Sequence, residues 1–302
     1  GHTYPGASMP FGMMQLSPDT RMANWDGSSG YHYSDSVIYG FSHTHLSGTG
    51  IPDYCDVLMM PFTGDIQWEN KDYLSTFSHK YEKASPGYYE VLLDKHKIKA
   101  QLTTSIRAGM HQYTFPSSDK EGSILIDLMH RDKLLDASLE MVSPYEVRGH
   151  RVSRSWAQQQ IIYFYIKFEQ PIIDDSSFLG LTDYADSRMD TVKRAFKFKL
   201  PADKILRCKV GISGVSYDGA KLNLNTEIPH WNFDRVRNDA RSAWNKELSK
   251  IDIKGGTKDQ QTIFYTALYH TFLAPNIYQD VDGGFRGTDL KIYKAKGFTN
   301  YT

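Results

Sequence analysis

Ala195-Phe196-Lys197-Phe198-Lys199-Leu200 places Phe196, Phe198 and Leu200 on one parity and Lys197 and Lys199 on the other. Side chains alternate across a strand, so this stretch has one face in a core and one in water, as in a half-buried antiparallel strand. Runs of similar texture with turn signals between them fill the middle of the chain. Examples are Tyr88 to Leu93, Lys97 to Thr104, His111 to Phe115, Ser123 to Met129, Ile161 to Phe168, Val192 to Leu200 and Ile205 to Ser213. No amphipathic helix intervenes, and the expected fold is mainly β, a large antiparallel β-sandwich.

After Pro229 the texture turns helical. Trp231, Val236, Ala240, Ala243, Trp244, Leu248 and Ile251 recur near helical spacing with charges between them, and Gly255-Gly256 ends the element. A second helix is expected from about Lys258 to Leu273, burying Ile263, Phe264, Ala267, Leu268 and Phe272 and stopping at Pro275. Before residue 80 neither period is clean. Tyr4-Pro5-Gly6, Pro10-Phe11-Gly12, Trp25-Asp26 and Ser29-Gly30-Tyr31-His32-Tyr33 interleave aromatics with turn formers, so this part is expected to be mostly loop, a loop-rich layer facing a ligand.

That layer leads into Gly40-Phe41-Ser42-His43-Thr44-His45-Leu46-Ser47-Gly48-Thr49-Gly50, followed by Ile51-Pro52-Asp53. If Gly40 to Leu46 is extended, His43 and His45 share a face, and Ser47 to Gly50 turns with its N–H groups open to close approach. Imidazoles, hydroxyls and bare amides suit a neutral polyhydroxylated ligand. Three readings of the two histidines stay open: sugar hydroxyl ligands, a metal pair, or hydrogen-bonded loop supports. A zinc ion fits less well, because no third and fourth ligand follows at a familiar spacing. Trp25 is the best stacking platform, with Asp26 beside it to accept hydrogen bonds, unless the indole is packed in the core.

The ordered series GHTYPGA, PFGMMQLSPDT, SGYHYSD, GFSHTHLSGTG, Phe77-Ser78-His79-Lys80 and Pro86-Gly87-Tyr88-Tyr89 resembles the N-terminal region of glycoside hydrolase family 92. Ser155-Trp156-Ala157, Asp280-Val281-Asp282-Gly283 and Phe298-Thr299-Asn300-Tyr301-Thr302 extend the resemblance in order along the chain. The resemblance implies an exo-acting, calcium-dependent α-mannosidase, bacterial and secreted, periplasmic or on the cell surface. It also implies a protein roughly twice this length: a sandwich, a helical linker and an (α/α)6 barrel absent from this chain. The expected parts are therefore a sandwich over 1–228, the helical linker over 229–275 and the start of the barrel over 276–302. The catalytic carboxylates and most calcium ligands would lie beyond Thr302, so no catalytic and no metal residue is assigned here. Phe11, Trp25, Asp26, His43, His45, Ser47, Thr49 and Asp53 are the expected sugar contacts, with Phe11 tilted toward the pocket floor by the resemblance. Mannose-containing glycans and the barrel itself are the expected partners.

Composition agrees with a neutral substrate. Lysine plus arginine and aspartate plus glutamate both number 35 in 302 residues, leaving no basic field for nucleic acid or an anionic membrane. No run approaches the roughly 18–20 apolar residues of a membrane span, and no signal peptide is visible. Two cysteines, Cys55 and Cys208, make no disulfide framework. Asp19, Asp26, Asp35, Asp53 and Asp56 sit in the loop layer, but no two are marked as an acid and base. Asp280 to Asp289 has aspartates and glycines without the ligand order of a calcium loop, and an ordinary hairpin is expected. Two other readings remain at this stage. One is a non-catalytic carbohydrate-binding sandwich. The other is a phosphorylase or lyase of similar architecture, which the FSHTHLSGTG loop disfavours.

Overall fold

The alternation of residues 195–200 is realised in the strand Lys193–Lys199, where Phe196 and Phe198 are fully buried and Lys199 is exposed. Burying each phenylalanine contributes about 1.5–3 kcal/mol. The computed structural model describes residues 3–22, 25–178 and 192–301, so Gly1, His2 and Thr302 of the family-like motifs lie outside the described residues.

Two antiparallel sheets form the body. One runs Ala7–Ser8, Gln15–Asp19, Gly40–Ser42, Leu58–Phe62, Glu121–Asp127, Lys193–Lys199, Ile172–Phe178 in spatial order. The other runs Lys133–Ser143, Glu146–Arg154, Gln160–Phe168, Ile205–Ser213, Ala108–Thr114, Ile98–Thr104, Tyr88–Leu93, Glu82–Ser85. One apolar cluster draws on both sheets, including Leu16, Phe41, Met60 and Ile124 from the first and Tyr89, Leu102, Phe164 and Ile166 from the second. Phe168 meets Phe198 across the gap at 4.8 Å between ring centroids. This is a sandwich with one core.

The first 80 residues are mostly irregular, as expected, but they are more than a surface layer. They supply four of the seven strands of the first sheet, and Gln15–Asp19 and Leu58–Phe62 are buried at every position. Gln15, Ser17 and Asp19 break the apolar alternation, and Gln15 and Asp19 are tolerated inside because other buried groups bond them.

The helices begin earlier than Pro229. Tyr217–Glu227 is already helical, capped by the Ser216 hydroxyl, which accepts from Gly219 N. It lies on the outer face of the second sheet with Ala220 and Leu224 against Met110 and Tyr165. Gly211 lets it approach so closely that a Cβ there would sit 2.3 Å from the Ala220 carbonyl oxygen. Phe233–Leu248 follows and buries Phe233, Val236, Ala240 and Trp244, with the indole N–H donating to Ser8 O. Lys258–Thr271 starts on a capping box of Thr257 and Gln260. It differs from expectation in burying none of its own residues: Ile263 is 69% exposed. The last segment makes the expected hairpin, Gly284–Arg286 with Ile292–Lys294.

Candidate functional site

Trp25 stands 65% exposed in the one-turn helix Trp25–Gly27. Its indole lies over the Ser47–Gly50 turn, since a Cβ on Gly50 would meet the ring at 2.9 Å. Asp26 beside it is exposed, 3.9 Å from the Arg21 guanidinium. Thr49 is exposed and its hydroxyl accepts from Ile51 N, while Ser47 is half-buried and donates to the Thr3 hydroxyl. These four side chains form an accessible rim of one indole, one carboxylate and two hydroxyls.

The two histidines of the motif are elsewhere. His45 is buried, with Nδ1 on the Gln15 carbonyl at 2.8 Å and Nε2 on Asp19 Oδ1 at 2.7 Å. Both partners are acceptors, so both ring nitrogens carry protons and the ring is an imidazolium. Burial works against that charge, but the Cys55 sulfur and the Asp19 carboxylate outweigh it and push the ring up to about 10. Asp19 is buried too, which would raise its carboxyl. The His45 charge and the His130 ring, 2.8 Å away, instead hold it well below the usual carboxylate range. Ser42 adds a hydroxyl donor to Asp19 Oδ2.

His43 points into the sandwich. Its Nδ1–H donates to Val57 O at 2.7 Å, which leaves Nε2 as a bare acceptor for His111 Nε2–H at 3.0 Å. His111 Nδ1 then accepts from the Tyr113 hydroxyl. The chain closes only with both rings neutral, and burial lowers His43 to about 4 and His111 well below 6.5. Asp53 is also internal: its carboxylate accepts from the N–H groups of Trp156 at 3.0 Å and Ala157 at 2.7 Å. His43, His45 and Asp53, expected as sugar contacts, are thus corrected to supports, because every one is sealed from solvent and bonded to protein. Of the readings open for the histidine pair, the hydrogen-bonded supports are what the structure contains.

Phe11 is half-buried with a positive φ of 53°. Its N–H donates to Phe272 O, its carbonyl accepts from Ile277 N, and its ring packs on Phe272 and Tyr301. It therefore faces the end of the helical segment. The contacts that join it to Trp25 run indirectly through Thr3, Tyr4 and the Trp244–Leu273 cluster. A cleft of about 950 Å³ opens between Tyr4, Tyr33, Pro86 and the Tyr265–Tyr269 face of the last helix, and none of the eight expected contacts lines it. The sequence reading missed Trp156 as a site candidate. It is 73% exposed on the turn that Asp53 holds, and its signal was the Ser155-Trp156-Ala157 motif.

Metal binding depends on the donors that stand together. Asp19, His45 and Cys55 bring ligand atoms within 4.8 Å of one another, the one such grouping among the described residues. The 2.7 Å contact between Asp19 Oδ1 and His45 Nε2 is a hydrogen bond, whereas two tetrahedral zinc ligands would stand about 3.3 Å apart. Arg131 also puts a guanidinium 3.3 Å from the Cys55 sulfur. Calcium wants six to eight oxygens, which sulfur and imidazole do not supply. Asp280 is engaged by Ser213 and Asn223, and Asp282 by Gly284 N and Lys294. The described residues do not fit either ion. Cys55 and Cys208 are free, buried cysteines.

A two-sheet sandwich that runs into helices, with an aromatic and hydroxyl rim, matches sequence models of sugar-cleaving enzymes in both parts. Residues 1–213 match the glycosyl hydrolase family 92 N-terminal domain, and residues 219–302 match the family 92 catalytic domain. The chain belongs to glycosyl hydrolase family 92. The second match begins at the helix Tyr217–Glu227, ahead of residue 229. A family GH92 α-mannosidase from Bacteroides thetaiotaomicron superposes with a TM-score of 0.90 at 36% identity, over all of this chain and 43% of that one. An inverting GH92 mannosidase from the same organism gives 0.87 at 27% identity, over all of this chain and 41% of that one. An uncharacterized secreted glycosidase of Arthroderma benhamiae is 27% identical over 92% of this chain and 40% of its own length. The chain thus spans about 40% of the length of these relatives.

Proposed function

We propose that this chain is the sandwich portion of an exo-acting α-mannosidase, exported from the cell, that removes terminal mannose from mannans or N-glycans. The preferred linkage is α-1,2 and the reaction inverts the anomeric centre. The observation that carries this is the likeness, over the whole chain at 36% identity, to a GH92 α-mannosidase. The accessible rim supports it: Trp25 offers an indole face to the C–H face of a pyranose, and Asp26, Ser47 and Thr49 offer hydrogen bonds to its hydroxyls.

In this reading the chain's residues bind and orient the sugar. Inversion needs an acid and a base about 6.5–9.5 Å apart across the scissile bond. Asp19, Asp56 and Asp127 are buried and tied to His45, Arg151 and Lys193, so they serve the scaffold. The acid, the base and the calcium ligands would come from the remainder of the full-length protein.

The test is the purified full-length protein on α-1,2-mannobiose, with proton NMR reading the first-formed anomer. Release of β-mannose, abolished by EDTA and restored by calcium, is expected. Release of α-mannose, or no mannose with any α-linked disaccharide, overturns the proposal. The 302-residue chain alone should release none. EDTA-sensitive mannose release by it would show that the carboxylates lie within these residues.

A further inference from the structure

Arg131 is 4% exposed and lies beneath the loop that carries Trp25. Its Nη1 donates to Arg21 O at 3.3 Å and its Nη2 to Gly27 O at 3.1 Å, so one planar fork grips the carbonyls on both sides of Trp25 and Asp26. The same Nη1 also donates to the Cys55 sulfur at 3.3 Å. Cys55 sits in the segment after the Ser47–Gly50 turn, where Tyr54, Cys55 and Val57 all take positive φ of 57–79°. Non-glycine residues in that region are strained, and a β-branched valine there is rare. One guanidinium thus ties the loop of Trp25 to a strained loop that continues from the turn on which the indole rests.

Arg131 is itself fixed. Its carbonyl accepts from Arg151 Nη2, and Arg151 also bonds Leu128 O and the Asp56 carboxylate. The neighbouring Asp132, with a φ of 60°, accepts from Tyr54 N. From outside, Arg21 pairs with Asp35 at 2.9 Å, and Thr20 N and Arg21 N close the loop on Gly30 O. Lysine cannot replace the fork, because an ammonium is a point donor on a flexible stem.

We infer that Arg131 is the positioning residue of the sugar-facing rim, holding Trp25 at a fixed place over the Ser47–Gly50 turn. The inference rests on the reading of Trp25 as a sugar contact. It concerns binding and leaves the chemical step to other groups.

The experiment is a double-variant cycle in the full-length protein with α-1,2-mannobiose. Trp25→Ala should raise KM about tenfold, and Arg131→Lys should raise it about fivefold with kcat held within about twofold. If Arg131 acts through Trp25, the double variant should be no worse than Trp25→Ala, because residues that share one interaction are not additive. Acrylamide should also quench Trp25 more readily in Arg131→Lys, read as the difference from the same change made in Trp25→Phe. A KM effect of Trp25→Ala with none for Arg131→Lys, or costs that multiply in the double variant, overturns the inference and leaves the sugar-contact reading standing. An unchanged KM in Trp25→Ala overturns both. Should Arg131→Lys fail to fold, Arg131→Gln keeps a planar amide beneath the same carbonyls and is read the same way.

Discussion

The buried histidines make the molecule's stability depend on pH from both sides, His45 on the alkaline side and His43 with His111 on the acid side. Folded, the His45 ring titrates at about 10, above the ordinary 6.5, so its stabilisation is complete below about pH 6.5 and is lost as pH rises toward 10. His43, held at about 4, and His111, held well below 6.5, run the other way. An unfolded chain protonates both rings near pH 6.5 and the folded chain does not, so stability falls as pH drops from 6.5 toward 4. Asp132, raised to about 7 by burial, and Asp280, also raised by burial, oppose them on the acid side, while His96 and His270, lowered by burial, act with them. The thermal midpoint should therefore peak at about pH 6–7. Calorimetry showing a flat midpoint between pH 4 and 10 would contradict this. His45→Ala leaves the buried Asp19 charge short of its main partner and should cost about 3–5 kcal/mol of stability in a denaturant titration. A loss below about 1 kcal/mol would make His45 available for another role. Sequence alone could not separate ligand from support at these positions. The partners that decide it, Asp19 and His111, stand 26 and 68 residues away, and burial is set by that long-range pairing.

Strands were legible where apolar runs lie between turn signals, whether one face is wet, as in Lys193–Lys199, or nearly every position is buried, as in Glu121–Asp127. Tyr88–Leu93, Ile98–Thr104, Ala108–Thr114, Glu121–Asp127, Gln160–Phe168, Lys193–Lys199 and Ile205–Ser213 lie within a few residues of the runs that alternation and turn signals mark. Gln15–Asp19 was not legible, because its buried polar residues mimic a loop, and Gln15 and Asp19 are explained by long-range bonds such as those from His45 and Ser42. The helix Tyr217–Glu227 was also hidden: a glycine and two asparagines lower its propensity, yet tertiary contacts use two of the three, Gly219 and Asn223. Gly219 leaves room for the Asp280 carboxylate, and Asn223 bonds Ile212 O, Asp280 and Val281 N. Gly211 beneath this helix gives the sharpest element-scale prediction. Glycine to alanine usually stabilises a strand, but here the added methyl meets the Ala220 carbonyl oxygen at 2.3 Å. Gly211→Ala should cost about 1–3 kcal/mol as the helix lifts from the sheet, and a raised unfolding midpoint would refute the close approach.

At the scale of the whole molecule, the sandwich is closed and the helical end is open. The apolar cluster between the sheets is sealed, and Phe233–Leu248 is seated, whereas Lys258–Thr271 and the last segment expose Ile263, Ile292, Tyr293, Phe298 and Tyr301. Scattered apolar residues are ordinary on a surface, but five at one end of the sequence, in a chain covering about 40% of its relatives' length, call for a cover. In the proposed full-length enzyme that cover is the rest of the catalytic domain, and interfaces between domains bury about 600–1,500 Å². The 302-residue chain should therefore self-associate at micromolar concentration. Ile263→Glu should shift it toward monomer in sedimentation equilibrium while leaving its thermal midpoint within about 2 °C, since a charge at an exposed position costs a folded fragment little. The same substitution in the full-length protein should lower the midpoint, because there the carboxylate would be buried without a partner. A fragment that stays monomeric at every concentration, together with a full-length Ile263→Glu variant as stable as its parent, would show that this face meets water in both and that the rest of the proposed enzyme docks elsewhere.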